Sequence, residues 1–305
     1  MQEILDNLRH NCRVKIYPDG SRDVMVAQRA IFREPGWELS DKWDSSRDLA
    51  AEFWASLDSM EGLSDVERSV YALARREAAE ADRAALNLER AKRRARNAVS
   101  DLALSNEFRY FVTLTLDSSK VDRYDVKLIT RKLNAWCDNH VRRHGLRYVL
   151  VAEKHKDGAV HFHGFFNDAL PVVDSGTISL PGGGKPRKPR SKAQRAAWLA
   201  DGGHIVYNLP AWSLGFTTAI ELYGSRRAAV GYVTKYITKA AEKVGGRWYY
   251  SGGDLRRPEV EYTSMAFSDV LGLENVRCFT IDELGCEVVR FTVEADSSLG
   301  DFEGV

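Results

Sequence analysis

The sequence predicts an α+β protein with a central antiparallel sheet. Residues 108–116 are aromatic and β-branched, which favours a strand. Residues 123–144 carry apolar side chains at helical spacing. Residues 147–153 and 159–166 then read as two further strands around the tight turn at 157–158. This β-α-β-β order is half of a ferredoxin-like (split βαβ) domain, so we expect helices to cover one face of the sheet and leave the other open.

The elements that precede this core are a hairpin and a long helix. Residues 11–34 read as two strands around Pro18-Asp19-Gly20, and a short Trp-rich helical piece follows at about 46–58. Ser64-Asp65-Val66-Glu67 forms a capping box ahead of an Ala/Arg/Glu-rich run that reaches about residue 104. The apolar side of this run is mostly alanine. It therefore packs closely on a neighbour or lies as a basic helix along a partner.

The elements that follow the core are an insertion, more strands and a second helix. Residues 174–203 are rich in Gly, Pro, Lys and Arg, but Pro186 after Lys185 breaks the pattern of a phosphate-binding loop. Residues 204–223 return to strand-like patterning. Ser225 then caps a helix predicted to reach about Glu242. The sequence of this helix, YVTKYITK, has strand propensity, but its apolar residues have helical periodicity.

Charge is balanced over the chain but not along it. The 305 residues hold 44 basic and 43 acidic side chains, and the 44% hydrophobic content is enough for a sizeable core. Residues 88–96 and 185–195 are basic, whereas the stretch from Asp282 onward is acidic. The basic patches suit a phosphate backbone, or else they are solvated surfaces. Candidate DNA-binding residues are Lys185, Arg187, Lys188, Arg190, Lys192, Arg93 and Arg94.

The four cysteines form no CxxC pair and no disulfide framework, which indicates free thiols in a reducing cytoplasm. The first residues lack the apolar core of a signal peptide. No apolar run approaches the roughly 18 residues that span a bilayer. We therefore expect a cytoplasmic protein without a membrane partner.

The candidate metal ligands are two histidines and a carboxylate. His161 and His163 stand at i and i+2 on a predicted strand, so their side chains project from one face. Glu153 lies within the preceding apolar strand, where an unpaired carboxylate would be costly and needs a cation. His155 lies in a polar turn and is expected at the surface. Two imidazoles and a carboxylate suit Mn²⁺ or Mg²⁺, and Zn²⁺ would fit the same ligands.

The candidate nucleophiles are two tyrosines. Tyr232 and Tyr236 are four residues apart on the predicted helix, so their phenols emerge one turn apart on the same side. Lys235 and Lys239 each follow a tyrosine by three residues and can stabilise phenolate charge. A phenol attacks a phosphodiester when a metal ion polarises the phosphate and holds it in line. Two tyrosines allow two such transfers in alternation.

These motifs resemble those of the HUH endonuclease superfamily, in particular the rolling-circle replication initiator (Rep) proteins of small phages and plasmids. Residues 111–117 (FVTLTLD) look like the first Rep motif, 161–163 (HFH) like the HUH motif, and 232–239 (YVTKYITK) like the motif of two-tyrosine initiators. Glu153 matches the acidic third ligand. The resemblance spans about residues 108–242.

The resemblance implies a metal-dependent nickase and strand transferase in a bacterial host cell. It would cut single-stranded or hairpin origin DNA through a 5′-phosphotyrosine intermediate and so initiate rolling-circle replication. The sequence has no motor motif, so a host helicase and DNA polymerase are the expected partners. The predicted division is an accessory region at 1–62, a long basic helix at 63–105, the HUH domain at 106–250 with the insertion at 174–203, and a C-terminal region with an acidic tail at 251–305.

Other functions stay open. Within the superfamily the chain could be a transposase or a relaxase, although relaxases usually carry the tyrosine ahead of the histidines. Outside it, the histidines could hold a structural zinc in a DNA-binding regulator that never cuts. A third possibility is a nuclease that uses water, in which the tyrosines are merely packed. Only the two-tyrosine nickase leaves a covalent protein–DNA adduct.

Overall fold

A computed structural model describes residues 9–33, 65–273, 276–281 and 285–295. It is a mixed α+β structure, as predicted. The Trp-rich piece at 46–58, Ser64 of the capping box and most of the acidic tail lie outside the described residues. Within the described part of the chain, no helix is both long and apolar enough to cross a lipid bilayer.

The described residues form five helices and fourteen strands. The helices are α1 (Asp65–Ser105), α2 (Val126–His144), α3 (Lys192–Ala200), α4 (Arg226–Lys239) and α5 (Phe267–Leu271). The strands before the central sheet are β1 (Arg9–His10), β2 (Cys12–Ile16), β3 (Arg22–Ala27) and β4 (Phe32–Arg33). The next are β5 (Tyr110–Leu116), β6 (Tyr148–Lys154), β7 (Val160–Phe166), β8 (Val173–Ser179), β9 (His204–Asn208) and β10 (Gly215–Glu221). The last are β11 (Tyr250–Gly252), β12 (Glu259–Thr263), β13 (Arg277–Ile281) and β14 (Cys286–Val293).

The chain divides into two compact units. The larger consists of Val14–Val24, Lys92–Glu261 and the described residues from Phe291 onward. The smaller holds the described residues up to Arg13, of Met25–Ala91 and of Tyr262–Arg290. A five-stranded sheet of order β12-β2-β3-β14-β13 includes strands that run from one unit into the other. The sequence division was drawn from motifs rather than from contacts, so its boundaries stay a prediction.

The larger unit is built on a seven-stranded antiparallel sheet of order β11-β6-β7-β5-β10-β9-β8. The predicted β-α-β-β sequence is confirmed as β5, α2, β6 and β7. The hairpin partners β6 and β7 lie side by side, and β5 pairs with the other edge of β7. This puts β7, the strand with both histidines, between two others. The sheet then continues beyond β5 through β10, β9 and β8.

Helices cover both faces of this sheet, so the expectation of one open face is wrong. On one face, α2 packs through residues such as Ile129, Leu133 and Trp136. On the other face, the second half of α1 and helix α4 pack on Val149, Val151 and Phe165. The helical repeat predicted each helix but carried no information about which side of the sheet it would occupy. The second half of α1 is thus a packing helix, one of the two readings of its alanine-rich face.

Local sequence explains where α2 and α4 begin and end. The Asp125 side chain accepts a hydrogen bond from Leu128 N, and Gly145 ends α2 in the left-handed conformation, with φ of 69°. The Ser225 side chain accepts from Ala228 N and caps α4, as predicted. This helix ends at Lys239, three residues earlier than expected. Its burial of Val230, Val233 and Ile237 outweighs the strand propensity of YVTKYITK.

The remaining local predictions are also confirmed where the structure describes them. The turn at Pro18-Asp19-Gly20 joins the adjacent strands β2 and β3, and Tyr17 N donates to Ser21 O. Residues 204–223 contain β9 and β10. The insertion at 174–203 is more ordered than its composition indicates, because it includes most of β8 and the whole of α3.

Candidate active site

His161 and His163 project from the face of β7 that α4 covers. Cross-strand pairing defines their neighbours on this face. His161 lies between Thr115 on β5 and Glu153 on β6, and His163 lies between Thr113 and Val151. Gly164 follows directly, and a Cβ there would come 1.9 Å from the carbonyl oxygen of Val149, so the close approach of β7 to β6 requires glycine.

Threonine hydroxyls hold one nitrogen of each imidazole. Thr113 Oγ1 lies 3.1 Å from His163 Nδ1, and Thr115 Oγ1 lies 3.2 Å from His161 Nδ1. A hydroxyl can donate to or accept from Nδ1, so it supports either tautomer of the ring. Both Nε2 atoms are thereby left for other partners. The register of β5 against β7 decides this arrangement, and the histidine motif alone gives no sign of it.

Glu153 is the carboxylate partner of these histidines. Its Oε2 lies 2.9 Å from His163 Nε2, and its residue is directly opposite His161 in the strand register. Burial lowers the pKa of His163, although the hydrogen bond to Glu153 acts in the opposite direction. Burial, followed by the neighbouring His155 and His163, lowers the pKa of His161 to about 4. Both imidazoles are therefore neutral near pH 7, the form that binds a metal ion.

The chemistry of this donor set fits a divalent cation. Two ligands at right angles on an ion such as Mg²⁺ lie about 3 Å apart, close to the distance between His163 Nε2 and Glu153 Oε2. His161 can reach the same point, because directly opposed residues have Cβ atoms about 5 Å apart. Among the described residues, no three His, Cys, Asp or Glu side chains already converge as a complete ligand set. The three predicted ligands are neighbours, and two of them are in contact.

Helix α4 places both predicted nucleophiles over this face. The Tyr236 ring stacks on His163, with 4.2 Å between ring centroids and 6° between planes. The Tyr232 ring meets Phe111 edge-on at 5.6 Å. Tyr236 is half-buried, whereas Tyr232 is 48% exposed. Glu153, His161, His163, Tyr232 and Tyr236 are called the histidine–tyrosine cluster below.

The two phenols are linked and are not equivalent. The Tyr236 hydroxyl donates a hydrogen bond to the Tyr232 hydroxyl at 2.9 Å. Burial raises the pKa of Tyr236, and the hydrogen bond to Tyr232 and the charge of Glu153 raise it further. A phenol that accepts a hydrogen bond is better prepared to carry negative charge than one that donates it. The arrangement thus favours charge on the outer tyrosine, Tyr232.

The two predicted lysines occupy different surroundings. Lys235 Nζ lies 5.5 Å from the centre of the Tyr232 ring, where its charge is attracted by the ring and reaches the phenol oxygen through space. Lys239 is exposed in the last turn of α4 and makes no hydrogen bond or ion pair with any residue that the structure describes. The structure therefore brings Lys235 to the tyrosines and leaves Lys239 in solvent.

The predicted DNA-binding residues lie at two places. Lys185, Arg187, Lys188 and Arg190 are exposed between β8 and α3, and Lys192 begins α3. Arg93 and Arg94 are exposed on α1. Their neighbours in the sequence differ, because Lys92 is buried beside Trp248 and Arg96 donates to Thr238 Oγ1 at 3.1 Å. The basic run on α1 is thus divided between the protein interior and its surface.

Two residues beside the histidines were not selected from the sequence. His155 is exposed, as expected, yet its ring stacks on His161 at 3.9 Å. Arg123 lies next to β7, since Val160 N donates to its carbonyl oxygen, and its charge acts on His161. The Arg123 Nε atom is buried without a hydrogen-bond partner among the described residues. Their loop positions offered no periodic signal; only the tertiary fold brings them here.

Comparison with known proteins gives one match. The model of a family of replication-associated proteins, described by its ORF2 member, matches residues 109–241. The matched span runs from the residue before β5 to just past the end of α4, and so includes every member of the histidine–tyrosine cluster. It supports a replication protein of the initiator type. The curated proteins gave no match, and neither did the solved structures.

Proposed function

We propose that this protein is a site-specific DNA nickase and strand transferase of the HUH type, which initiates rolling-circle replication of a phage or plasmid. The observation that carries the proposal is the stack of Tyr236 on His163, with Tyr232 hydrogen-bonded beside it. Nothing in helix packing requires two phenols to lie over a row of neutral imidazoles and a carboxylate. A phosphodiester between them would meet a nucleophile and a cation site together.

The reaction is a transesterification. A tyrosine oxygen forms a bond to the phosphorus, and the bond from phosphorus to the 3′ oxygen breaks. The phenol proton passes to the departing oxygen, so the products are a 5′-phosphotyrosine and a free 3′-hydroxyl. No bond energy is lost to hydrolysis, and the strand can be rejoined. A host polymerase could extend the 3′ end, and a host helicase would open the duplex.

Within this reaction we propose that Tyr232 attacks first. Its ring is the more exposed of the two, and its oxygen accepts the hydrogen bond from Tyr236. Developing negative charge on Tyr232 is stabilised by that donor and by the ammonium of Lys235. Tyr236 would then take the second transfer, once the first oxygen is esterified and no longer accepts from it in the same way.

A divalent ion held by His161, His163 and Glu153 would polarise the phosphodiester and keep it in line for attack. The protein prepares this site by keeping both imidazoles neutral and by fixing their rings with Thr113 and Thr115. Mn²⁺ or Mg²⁺ suits the ligands best, and Zn²⁺ remains compatible with them. The exposed basic side chains between β8 and α3 would contact the DNA backbone.

The test is a covalent adduct. The full-length protein is mixed with single-stranded oligonucleotides that tile candidate origin DNA, with Mn²⁺ or with chelator, and analysed on denaturing gels. We expect an SDS-resistant protein–DNA band that needs the metal. Tyr232→Phe should reduce it more than Tyr236→Phe, and the double variant should abolish it.

Tyr223→Phe is the matched control, because Tyr223 is an exposed tyrosine outside α4. It should form the adduct as the wild type does. An adduct that survives in the Tyr232→Phe/Tyr236→Phe variant would refute the proposal. Cleavage without an adduct would indicate a nuclease that uses water. Binding without cleavage would indicate a regulator.

A further inference from the structure

Phe216 is a large apolar side chain left in solvent on the central sheet. It lies on β10 and is 67% exposed, the highest value among the exposed large hydrophobic residues of the described chain. A phenylalanine within a strand usually packs against a neighbour, because burying the ring contributes about 2 kcal/mol or more. Its exposure therefore marks a surface that a ligand can cover.

The strand register places Phe216 beside the candidate active site. Phe216 pairs with Thr115 across β10 and β5, and Thr115 pairs with His161 across β5 and β7. Directly opposed residues share a face, so Phe216, Thr115, His161 and Glu153 form one row on the side of the sheet where α4 lies. Phe216 is two strands from His161, or about 10 Å.

Backbone packing fixes this position. Gly215 precedes Phe216, and a Cβ there would lie 2.1 Å from the carbonyl oxygen of Thr115, so β10 approaches β5 as only glycine permits. The ring therefore stands on a rigid strand rather than on a loop. Its neighbours on the same face, Thr115 and Thr218, are polar side chains that offer no apolar cover.

We propose that Phe216 is a stacking platform for a base of the single-stranded DNA, at a nucleotide adjoining the phosphate that is cut. This inference rests on the proposed function and adds a binding subsite to it. A nucleic-acid base is the occupant that the surroundings favour. Its aromatic face matches the ring, and its phosphates match the cationic groups of Arg123 near His161 and Lys235 near Tyr232.

Stacking on Phe216 would hold the strand without reading its sequence. Every base has an aromatic face, so such a contact accepts any nucleotide. With the tyrosines on one side and Phe216 on the other, the strand is held on both sides of the cation site. The subsite would therefore set how the scissile phosphate is positioned.

The test compares binding of two single strands with equal charge. Full-length Tyr232→Phe/Tyr236→Phe protein is titrated into fluorescent oligothymidylate of about 20 nucleotides, or into an abasic strand of the same length. Fluorescence anisotropy gives both affinities. We expect the preference for the strand with bases to fall about five- to a hundredfold in Phe216→Ala. Phe216→Trp should keep the preference, and Phe216→Leu should lose it although it is apolar.

Tyr223→Ala is the control, since it removes an exposed aromatic beyond the other end of β10 and should keep the preference. The inference is overturned if Phe216→Ala binds both strands as its parent does, or if Phe216→Leu binds like Phe216→Trp. Neither measurement requires cleavage. A protein that shows this dependence on Phe216 but forms no phosphotyrosine adduct would refute the nickase and leave the stacking site standing.

Discussion

Two polar clusters in the larger unit differ in how their charges are satisfied. One is the histidine–tyrosine cluster. The other consists of Lys15, Tyr17, Asp23, Asp101 and Arg227, and is called the charged cluster below. Helix α4 contributes to both, with Arg227 in its first turn and the tyrosines further along. Comparing them separates polar groups that hold the fold from polar groups left ready for a ligand.

Every carboxylate of the charged cluster has a cation. Lys15 Nζ lies 2.6 Å from Asp101, and Arg227 Nη1 lies 2.9 Å from Asp23. The Tyr17 hydroxyl is within hydrogen-bonding distance of both carboxylates, and Thr292 donates to Asp23. Buried charges are tolerated when they are paired and hydrogen-bonded in this way. The cluster ties the β2–β3 hairpin to α1 and α4.

The histidine–tyrosine cluster lacks such compensation. Among the described residues, no lysine or arginine pairs with Glu153, whose one hydrogen bond is to a neutral imidazole. The tyrosine hydroxyls are bonded to each other. A carboxylate and two imidazoles in a partly buried site cost free energy unless something binds them. The difference teaches that the first cluster is complete without a ligand, whereas the second has a place for one.

The largest expected effect comes from removing the carboxylate of the second cluster. Glu153→Gln keeps the shape of the side chain but not its charge, so the cation loses a ligand. We expect the rate of adduct formation to fall on the order of a hundredfold or more, because the metal supplies several kcal/mol to the transition state. The melting temperature should stay the same or rise. Rates from denaturing gels and thermal melts measure the two.

The matched control is Glu242→Gln. Glu242 is exposed and pairs with Lys154, so its loss should change neither rate nor stability appreciably. If Glu153→Gln instead unfolds the protein and keeps the rate of the folded fraction, Glu153 belongs with the structural carboxylates and the contrast between the clusters disappears.

The next largest effect concerns the charged cluster. Lys15→Met leaves the mostly buried carboxylate of Asp101 without its cation. We expect the free energy of unfolding to fall by about 2–3 kcal/mol, while the adduct rate per folded molecule is unchanged. Denaturant melts give the stability. Arg109→Met is the control, because it removes an exposed ion pair with Glu221 and should cost about 1 kcal/mol or less. A loss of rate without loss of stability would contradict the structural role.

A smaller effect is expected from the threonine behind His161. Thr115→Val has nearly the same shape but no hydroxyl, so the His161 ring loses the partner that orients it. Removing such a partner of a metal-binding histidine weakens the metal about tenfold or more. The Mn²⁺ concentration that gives half the maximal adduct rate should therefore rise about tenfold. Thr115→Ser should restore it, and an unchanged Mn²⁺ dependence in Thr115→Val would show that Thr115 has no positioning role.

The sequence predicted the parts of the second cluster better than those of the first. Strand alternation put His161 and His163 on one face, and helical spacing put Tyr232 and Tyr236 on one side, because both rules act within a single element. The pairing of Glu153 with that strand followed from a short hairpin. The identity of the face that α4 covers did not follow, since periodicity shows that a helix has an apolar side but not where that side docks.

The charged cluster could not have been found in this way. Asp23 and Arg227 are 204 residues apart in the chain, and neither stands in a recognisable motif. Thr115 and Phe216 have the same character, because their roles depend on strand register between elements distant in sequence. Local rules fix which residues share a face of one element. The register and docking of separate elements depend on the packing of the whole core.

The smallest expected effect is a dependence of stability on alkaline pH. Burial, together with the charges of Asp23 and Asp101, raises the pKa of Tyr17 well above its ordinary value near 10. An acid whose pKa is raised by folding contributes stability that is complete below pH 10 and is lost as pH rises, because only the unfolded chain gives up the proton. Tyr17→Phe should cost about 1 kcal/mol at pH 7, from the lost hydrogen bond. The gap between the two unfolding free energies should then narrow above about pH 10. Wild type measured against Tyr17→Phe in denaturant at each pH isolates this group from the other tyrosines. A gap that stays constant with pH would mean that Tyr17 ionises as freely in the folded protein as in the unfolded chain, and that the charged cluster is as open to solvent as the site on α4.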